Sequence, residues 1–376
     1  MVFIFLAVSC SSSYQIAEND NLSVVVDVAA VMKEGWITLD STLYSVRYVR
    51  LDTNEDCLIG TIHKALIFND RIYVADFTQA MAIFVFDMRG NFLFKIDRRG
   101  RGSGEYLSIN DFDIDTHGNI YIFDSFNKCF IVYDSIGNFK HTISIEYHLT
   151  SFCIVEDIIY CALLRSGSSI IASVAAFNLT DGSINHVIPY REQLDDIRFH
   201  SSPFKFYRSP LRTYFNPKFS PVIYGIDEVG FFPAVGLQNL KMPPKDVLAQ
   251  WSNQPELILN PHDYFIETTY IFETERYLYF RINMGMTISI IYDKEFKRYY
   301  HFGSLIYSAG ISVLHGSTGK YFWGVMMPDE RFHAELMKKQ NELKQWKEED
   351  NPIIVFIEFK LEPVHHGYFN PLRNRE

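Results

Sequence analysis

The sequence predicts an all-β fold: a six-bladed β-propeller closed by pairing of its N- and C-terminal strands. Three observations support this prediction. Aromatic residues make up 16% of the 376 residues, and such side chains favour pleated, half-buried strands. A unit of about 47 residues is duplicated between residues 66 and 143, and weaker copies follow it. Strand-like segments lie near both chain ends, at 44–51 and 353–359, where they can share one blade.

The duplicated unit contains three short β-rich runs that match in register. The run that begins at Arg71 corresponds to the run that begins at Asn119, an offset of 48 residues. At Asp87 and Asp134 the offset is 47, so the second copy is one residue shorter. Gly and Asn in the intervening turns readily adopt positive φ. Four such strands in about 45 residues define one propeller blade.

The number of blades follows from the length of the repeat region, residues 43–362. Two segments lack the strand pattern: a Pro-rich insert at 185–216 and a polar insert at 325–351. Without them, six blades contain about 44 residues each, close to the roughly 40–50 residues of propeller repeats. Five or seven blades fit less well. Weaker copies are expected at 152–182, 219–234 and 264–300.

Residues 328–346 predict one helix, inserted before the last strand. Its apolar residues fall on roughly one face, and Asn351-Pro352 ends the segment. These apolar residues are Phe332, Leu336, Leu343 and Trp346. We expect this face to pack against the side of the propeller.

The chain begins with an apolar run, Val2–Val8, followed by small residues and Cys10. This resembles the end of a bacterial lipoprotein signal peptide, with Cys10 as the lipidated N-terminus after cleavage. Ala7 stands where Leu is more usual, and no Lys or Arg precedes the run, which fits a truncated start. The alternative is a buried N-terminal strand. The predicted organisation is a signal peptide at 1–10, a tether and N-terminal segment at 11–40, the propeller at 41–362 and a tail at 363–376.

Charge and hydropathy exclude two kinds of partner. The net charge is −10, and no basic run is present, whereas binding of nucleic acid requires clustered Lys and Arg. No apolar run reaches the roughly 18 residues that a membrane helix needs, so contact with a membrane is expected through the lipid anchor only. We expect the protein to be a monomer.

Three segments show a family resemblance: Ile72–Asp76, Val85–Phe92 and Arg99–Tyr106. They resemble the six-bladed β-propeller lipoproteins of Gram-negative gut bacteria, relatives of NHL-repeat proteins. The Gly-x-Gly-x-Gly-Glu-Tyr stretch that ends at Tyr106 is the most specific match, although Ser103 stands where the family usually has Pro. The resemblance implies an exported, membrane-tethered propeller whose relatives mostly lack an assigned activity.

The Gly-rich stretch is also the candidate ligand-binding site. Arg99, Arg101, Glu105 and Tyr106 are expected to project towards the central funnel, since binding clefts are concave and lined by loops. One alternative is a structural crossover between blades, in which glycines permit close backbone approach. A phosphate cradle would require a helix directly after a strand, and β-strands lie on both sides here.

The sequence assigns no catalytic residue. Four Asp residues recur in equivalent positions, which indicates capping of turns in every blade rather than catalysis. They are Asp76, Asp87, Asp124 and Asp134. A Gly-x-Ser-x-Gly elbow is absent from the sequence. His365 and His366 are adjacent, so in an extended segment they point in opposite directions and cannot chelate together.

Two further segments leave alternatives open. Cys153 and Cys161 flank a predicted turn at Asp157, where they can form a disulfide or stay as buried free thiols. The insert at 188–221 is rich in Pro, aromatic residues and Arg. Tyr, Phe and Arg are favoured at recognition surfaces, but the insert can equally cover one end of the ring.

These patterns favour a binding or scaffold module over an enzyme. The expected partner is a protein or a glycan, and no cofactor is predicted. The expected location is the cell envelope, as an outer-membrane lipoprotein, and we favour the inner face because no acidic run follows Cys10. The alternative is a metal-dependent enzyme of the lactonase or lyase type, with calcium or zinc on the ring axis.

Overall fold

The computed structural model contains six sheets arranged as a propeller, five of four strands and one of five, which confirms the predicted fold class. The structure describes residues 22–33, 44–164, 172–189, 204–253, 264–302, 309–328 and 349–361, together with residues 191, 194, 343, 346 and 347. Cys10, the helix segment 329–342, the tail 363–376 and its two histidines lie outside the described residues.

The first three blades follow one another along the chain. Blade 1 consists of β3 (Lys64–Phe68), β4 (Arg71–Asp76), β5 (Ala82–Asp87) and β6 (Phe92–Ile96). Blade 2 consists of β7 (Asp111–Ile114), β8 (Ile120–Asp124), β9 (Cys129–Tyr133) and β10 (Phe139–Ser144). Blade 3 consists of β11 (Leu149–Val155), β12 (Ile158–Leu163), β13 (Ala172–Asn178) and β14 (Ile184–Pro189).

The remaining blades include strands from both ends of the described chain. Blade 4 consists of β15 (Phe206–Arg208), β16 (Thr213–Phe215), β17 (Val222–Asp227) and β18 (Gly230–Gln238), joined by β1 (Val24–Asp27). Blade 5 consists of β19 (Phe265–Glu273), β20 (Tyr277–Met284), β21 (Met286–Asp293) and β22 (Arg298–Phe302). Blade 6 consists of β23 (Leu314–Ser317), β24 (Phe322–Met326), β25 (Ile353–Phe359) and β2 (Tyr44–Arg50).

The ring closes as the sequence predicts. β2 pairs antiparallel with β25, from Tyr44 opposite Phe359 to Arg50 opposite Ile353. The first strand of each blade contacts the first strands of its neighbours, so these six strands surround the axis. Closure removes the open sheet edges that a linear stack would expose.

Apolar side chains fill the spaces between consecutive blades. Strands buried on both faces need no strict alternation of apolar and polar residues, and β5 and β9 are examples, with runs of five buried residues each. One cluster joins blades 6 and 1 through Phe356 and Phe86, and another joins blades 2 and 3 through Phe130 and Phe152. The aromatic content of the sequence is therefore used to pack blade against blade.

The recurring Asp residues cap turns, as expected. Both carboxylate oxygens of Asp87 accept hydrogen bonds from Asn91, one from the backbone N–H (2.9 Å) and one from the side-chain amide (2.7 Å). Asp134 makes the same two contacts with Asn138. Gly90 lies in the first of these turns with a φ of 91°, and a Cβ there would lie 1.9 Å from the carbonyl oxygen of Arg50. Only glycine fits this position.

Blade 4 differs from the prediction. The sequence predicts an insert at 185–216, but β15, β16 and all of β14 except its first residue lie within it. β15 and β16 have only three residues each, and Pro210 stands between them. These strands are shorter than the runs on which the repeat pattern depends, and Pro cannot donate to a ladder. The predicted degraded blade at 219–234 corresponds to β17 and part of β18.

The N-terminal segment packs on the outside of the ring. β1 pairs parallel with β18, and the hydroxyl of Tyr299 donates to the carbonyl of Val25 at 2.6 Å. Helix α1 (Val28–Lys33) follows at once. Asp27 accepts a hydrogen bond from the N–H of Ala30 at 2.9 Å, which is an N-cap. This part of the predicted tether is therefore ordered on blade 4.

A second helix, α2 (Lys245–Asn253), links blades 4 and 5. It lies outside the segment in which the sequence predicts a helix. The ring of Trp251 stacks on Phe219, with ring centroids 6.2 Å apart. Of the helix predicted at 328–346, residues 328, 343 and 346 are described, and Leu343 and Trp346 are buried in the core.

Cys153 and Cys161 are buried free thiols. In the β11–β12 pair, Cys153 lies opposite Tyr160 and Cys161 opposite Phe152. A shift of one position places two side chains on opposite faces of a sheet. The two thiols accordingly belong to different apolar clusters, so the disulfide alternative does not fit this register.

Candidate functional site

A cavity of about 1130 Å³ lies on the propeller axis. Its wall includes all of β3 and β15, parts of β11, β19 and β23, and Thr116 after β7. The turns after these strands form the mouth, through residues such as Asp70, Thr116, Glu156 and Thr318. The cavity is slightly larger than the 300–1,000 Å³ or so of common ligand pockets.

Aromatic rings and arginines form much of the wall, and they come from different blades. Blade 4 contributes the largest share, from Phe204 to Thr213. Phe68 and Tyr270 are half-buried at the cavity, each with a guanidinium on its ring: Arg208 lies 4.7 Å from the centroid of Phe68, and Arg281 lies 5.4 Å from that of Tyr270. Such contacts hold rings and cations in fixed positions.

Three ion pairs connect the inner strands around the axis. Each joins a partly buried cation to a buried carboxylate in another blade. The pairs are Lys64–Asp111 (2.7 Å), Arg208–Asp113 (3.0 Å) and Lys205–Glu267 (3.1 Å). Since Arg208 lies in blade 4 and Asp113 in blade 2, that guanidinium reaches past the intervening blade.

The same carboxylates also bind backbone groups at the inner edge of blade 3. Asp111 accepts the N–H of Phe152 at 2.9 Å, and Asp113 accepts the N–H of Ile154 at 2.7 Å. In blade 5, the N–H of Glu273 donates to the hydroxyl of Ser209 at 2.9 Å. Side chains thus accept hydrogen bonds from backbone N–H groups of the inner strands that would otherwise point into the channel unpaired.

Glu273 is the centre of a second charged cluster. It accepts a hydrogen bond of 2.6 Å from the hydroxyl of Tyr214 and one of 3.0 Å from Lys294, and Arg212 lies 3.2 Å away. Burial and the carboxylate of Glu273 together raise the pKa of Tyr214 well above its usual value. Tyr214 therefore stays protonated and donates to Glu273.

His315 lies in the cavity wall beside Trp323, with ring centroids 6.1 Å apart. Its Nδ1 accepts a hydrogen bond from the N–H of Val325 at 3.3 Å. Burial lowers the pKa of His315 to about 4, although a hydrogen bond with Val313 opposes the shift. The folded protein thus favours the neutral imidazole.

This shift predicts a pH dependence of stability. An unfolded histidine has a pKa of about 6.5, so between pH 6.5 and 4 the unfolded chain binds the proton more readily and unfolding becomes easier as the pH falls. We expect His315→Gln to reduce the loss of stability across this range, measured by chemical unfolding at several pH values. His117→Gln, an exposed turn residue, is the control; equal slopes in both variants would contradict the prediction.

The Gly-rich stretch does not line this cavity. It precedes β7, whereas the cavity is lined by Thr116, which follows the end of β7. Tyr106 is fully buried, and its hydroxyl donates to the carbonyl of Met81 at 2.7 Å. Glu105 accepts the N–H of Gly102 at 2.7 Å. Arg99, Arg101 and Glu105 are exposed, so the stretch has the features of the structural crossover, and ligand contact there remains a prediction.

The channel walls offer few ligands for a metal ion. Within the ranges that the structure describes, no group of three or more His, Cys, Asp and Glu side chains is placed to hold a metal ion. The carboxylates on the axis are bound to Lys and Arg instead.

Together, the closed ring and the axial cavity define a six-bladed β-propeller with an open channel mouth. The chain belongs to the family described as Domain of unknown function (DUF4934), whose sequence profile matches residues 23–358. No curated protein matches the sequence. Among the helices described, neither is long and apolar enough to cross a membrane.

Solved structures that share the fold include the following two. A candidate exported protein of Bacteroides fragilis NCTC 9343 is 18% identical, with a TM-score of 0.71 over 87% of this chain and 98% of that one. A member of the DUF4221 family from Bacteroides vulgatus ATCC 8482 is 9% identical, with a TM-score of 0.52 over 86% of this chain and all of that one. At these identities the comparisons show the fold alone.

Proposed function

We propose that the protein is an exported, lipid-anchored binding or scaffold module that holds a protein or glycan partner at its channel mouth. The observation that carries this proposal is the cavity of about 1130 Å³, whose wall combines aromatic rings with arginines. Concave sites of this kind, with a few placed polar groups, are the usual sites of ligand binding. A recognition role of the insert agrees with the contribution of residues 204–213 to this wall.

Blocking the mouth tests the binding proposal. Thr116 is exposed and lines the cavity, and the next residue, His117, is exposed but does not line it. We expect Thr116→Trp to abolish the increase in melting temperature that a bound ligand gives, and His117→Trp to retain it. The probes are a set of hexasaccharides and a library of decapeptides, each added to purified protein. If nothing in either set stabilises the unmodified protein, the proposal is wrong.

The anchor and location rest on the N-terminal residues. The apolar run before Cys10 and the serines after it support a lipoprotein of the NHL-like type, held at the outer membrane by two or three acyl chains that contribute about 0.8 kcal/mol per buried CH₂. We expect Cys10→Ser to move the protein from the membrane fraction to the soluble fraction of expressing cells. Retention of this variant on the membrane would refute lipid anchoring through Cys10.

We propose that the protein is a monomer in the cell envelope.

A further inference from the structure

We infer that the ligand of the channel is an oligosaccharide, bound by ring stacking and side-chain hydrogen bonds rather than through backbone pairing. This inference rests on the proposed binding function and assigns the class of ligand. Three features of the channel support it: side chains occupy backbone groups at the inner edges of blades 2, 3 and 5, arginine side chains lie at the mouth, and two aromatic rings line the wall.

An extended peptide commonly binds by adding a strand to an exposed sheet edge, where backbone hydrogen bonds supply the affinity. Here side chains already bind backbone groups at the inner edges of the sheets, which a peptide strand would need. Asp111 and Asp113 take two consecutive outward N–H groups of β11, at Phe152 and Ile154. Lys64 donates to the carbonyl of Phe112 at 2.7 Å.

The inner strands of blades 2 and 5 are covered in the same way, by side chains from blades 1, 4 and 6. Arg208 donates to the carbonyl of Ile114 at 2.6 Å, and Ser317 donates to the carbonyl of Glu273 at 2.7 Å. Ser209 accepts the N–H of Glu273. A peptide strand would have to displace buried ion pairs to reach these groups. A ligand in the channel is therefore contacted through side chains.

The side chains at the mouth supply donors and acceptors suited to hydroxyl groups. Arg208 uses Nη1 for Asp113 and Ile114, and no hydrogen bond from Nε or Nη2 is made to the part of the chain described. Arg212 also lines the cavity and contacts Glu273 through Nε. Glu228 is exposed at the rim and can accept hydrogen bonds.

Stacking surfaces lie beside these donors. Phe68 and Tyr270 are half-buried in the cavity wall on blades 1 and 5. Each has a guanidinium against its ring, and Tyr270 also packs on Tyr207 with ring centroids 6.1 Å apart, so both rings are held in place where they line the cavity. Rigid rings lose little conformational entropy on binding. The C–H face of a pyranose ring fits such a surface, and its hydroxyl groups fit planar donors at the edge.

Substitution of the two rings tests the inference. Phe68→Leu and Tyr270→Leu keep an apolar side chain at each site but remove the stacking surface. Phe126→Leu is the matched control, since Phe126 is 76% exposed and does not line the cavity. The probes are maltohexaose, xylohexaose, mannohexaose and hexagalacturonic acid, with affinity measured by calorimetry on the full chain. Circular dichroism and melting temperature verify folding of each variant.

We expect at least one hexasaccharide to bind the unmodified protein, and each cavity variant to weaken that binding at least tenfold while the control retains it. Binding of hexasaccharides that is unaffected by both variants would overturn the assigned site. If decapeptides bind in a manner blocked by Thr116→Trp and no hexasaccharide binds, the glycan inference is wrong and the proposed function stands. If neither class binds, both are wrong.

Discussion

Replacing Asn351 by Ala is expected to destabilise the propeller strongly, although the side chain that is lost carries no charge. Asn351 is 1% exposed. Its side-chain oxygen accepts the N–H of Ile59 at 2.9 Å, and its amide donates to the carbonyls of Asp52 at 2.6 Å and Cys57 at 2.7 Å. The side chain thus ties the segment after β2 to the segment before β25.

The expected cost follows from the three groups left without partners. A buried donor or acceptor without a hydrogen bond costs about 1–3 kcal/mol, and water entering the site offsets part of this. We expect Asn351→Ala to lower the free energy of unfolding by about 3–5 kcal/mol, measured by urea unfolding. The lost hydrogen bonds are ones that support ring closure, because the two segments that they link come from opposite ends of the propeller.

Asn91→Ala serves as the control for Asn351. Asn91 is exposed, and its side chain bonds a carboxylate within its own turn, that of Asp87. Its replacement is expected to cost much less, because water can reach both the amide and the carboxylate. Similar losses in the two variants would show that ring closure does not depend on the buried contacts of Asn351.

The fold could be predicted because the turns and strands of blades 1 and 2 are specified by residues close together in the sequence. A turn such as Asp134 to Asn138 is specified by neighbouring residues: the Asp side chain caps it, and Gly137 adopts a φ of 86°. Ring closure was predictable for a different reason, since β-rich segments at both ends leave no other way to complete the sixth blade. Both features require only short stretches of sequence.

Blade 4 and the channel could not be predicted in this way. The strands at 206–208 and 213–215 are three residues long, too short to show a period, and they are held by contacts to other blades. Arg208 is an example, since its partners are Asp113 and Phe68. A site assembled from short pieces of several blades has no sequence motif, whereas the Gly-rich stretch is conspicuous in sequence but outside the cavity. The one sequence signal for the channel was the aromatic and Arg content of 188–221.

Replacing Lys64 by Met is expected to reveal how strongly the axial ion pairs support the ring. Lys64 lies 2.7 Å from Asp111, a fully buried carboxylate. Removing one partner of a buried pair leaves an uncompensated charge and typically costs about 3–5 kcal/mol. We expect a loss of this size in urea unfolding at pH 7, since Met retains most of the apolar packing of the Lys side chain.

Lys320→Met is the matched control, because Lys320 also pairs with a carboxylate, that of Glu358 at 3.3 Å, but its side chain is 58% exposed. Exposed pairs contribute little, so this variant should unfold as the unmodified protein does. Asp111 offers a further test. Without Lys64 it keeps the hydrogen bond from the N–H of Phe152 but has no cation beside it. Protonation of Asp111 removes this unpaired charge. The stability of Lys64→Met relative to the unmodified protein is therefore expected to improve as the pH falls, and a constant difference would contradict the assignment of the loss to this charge.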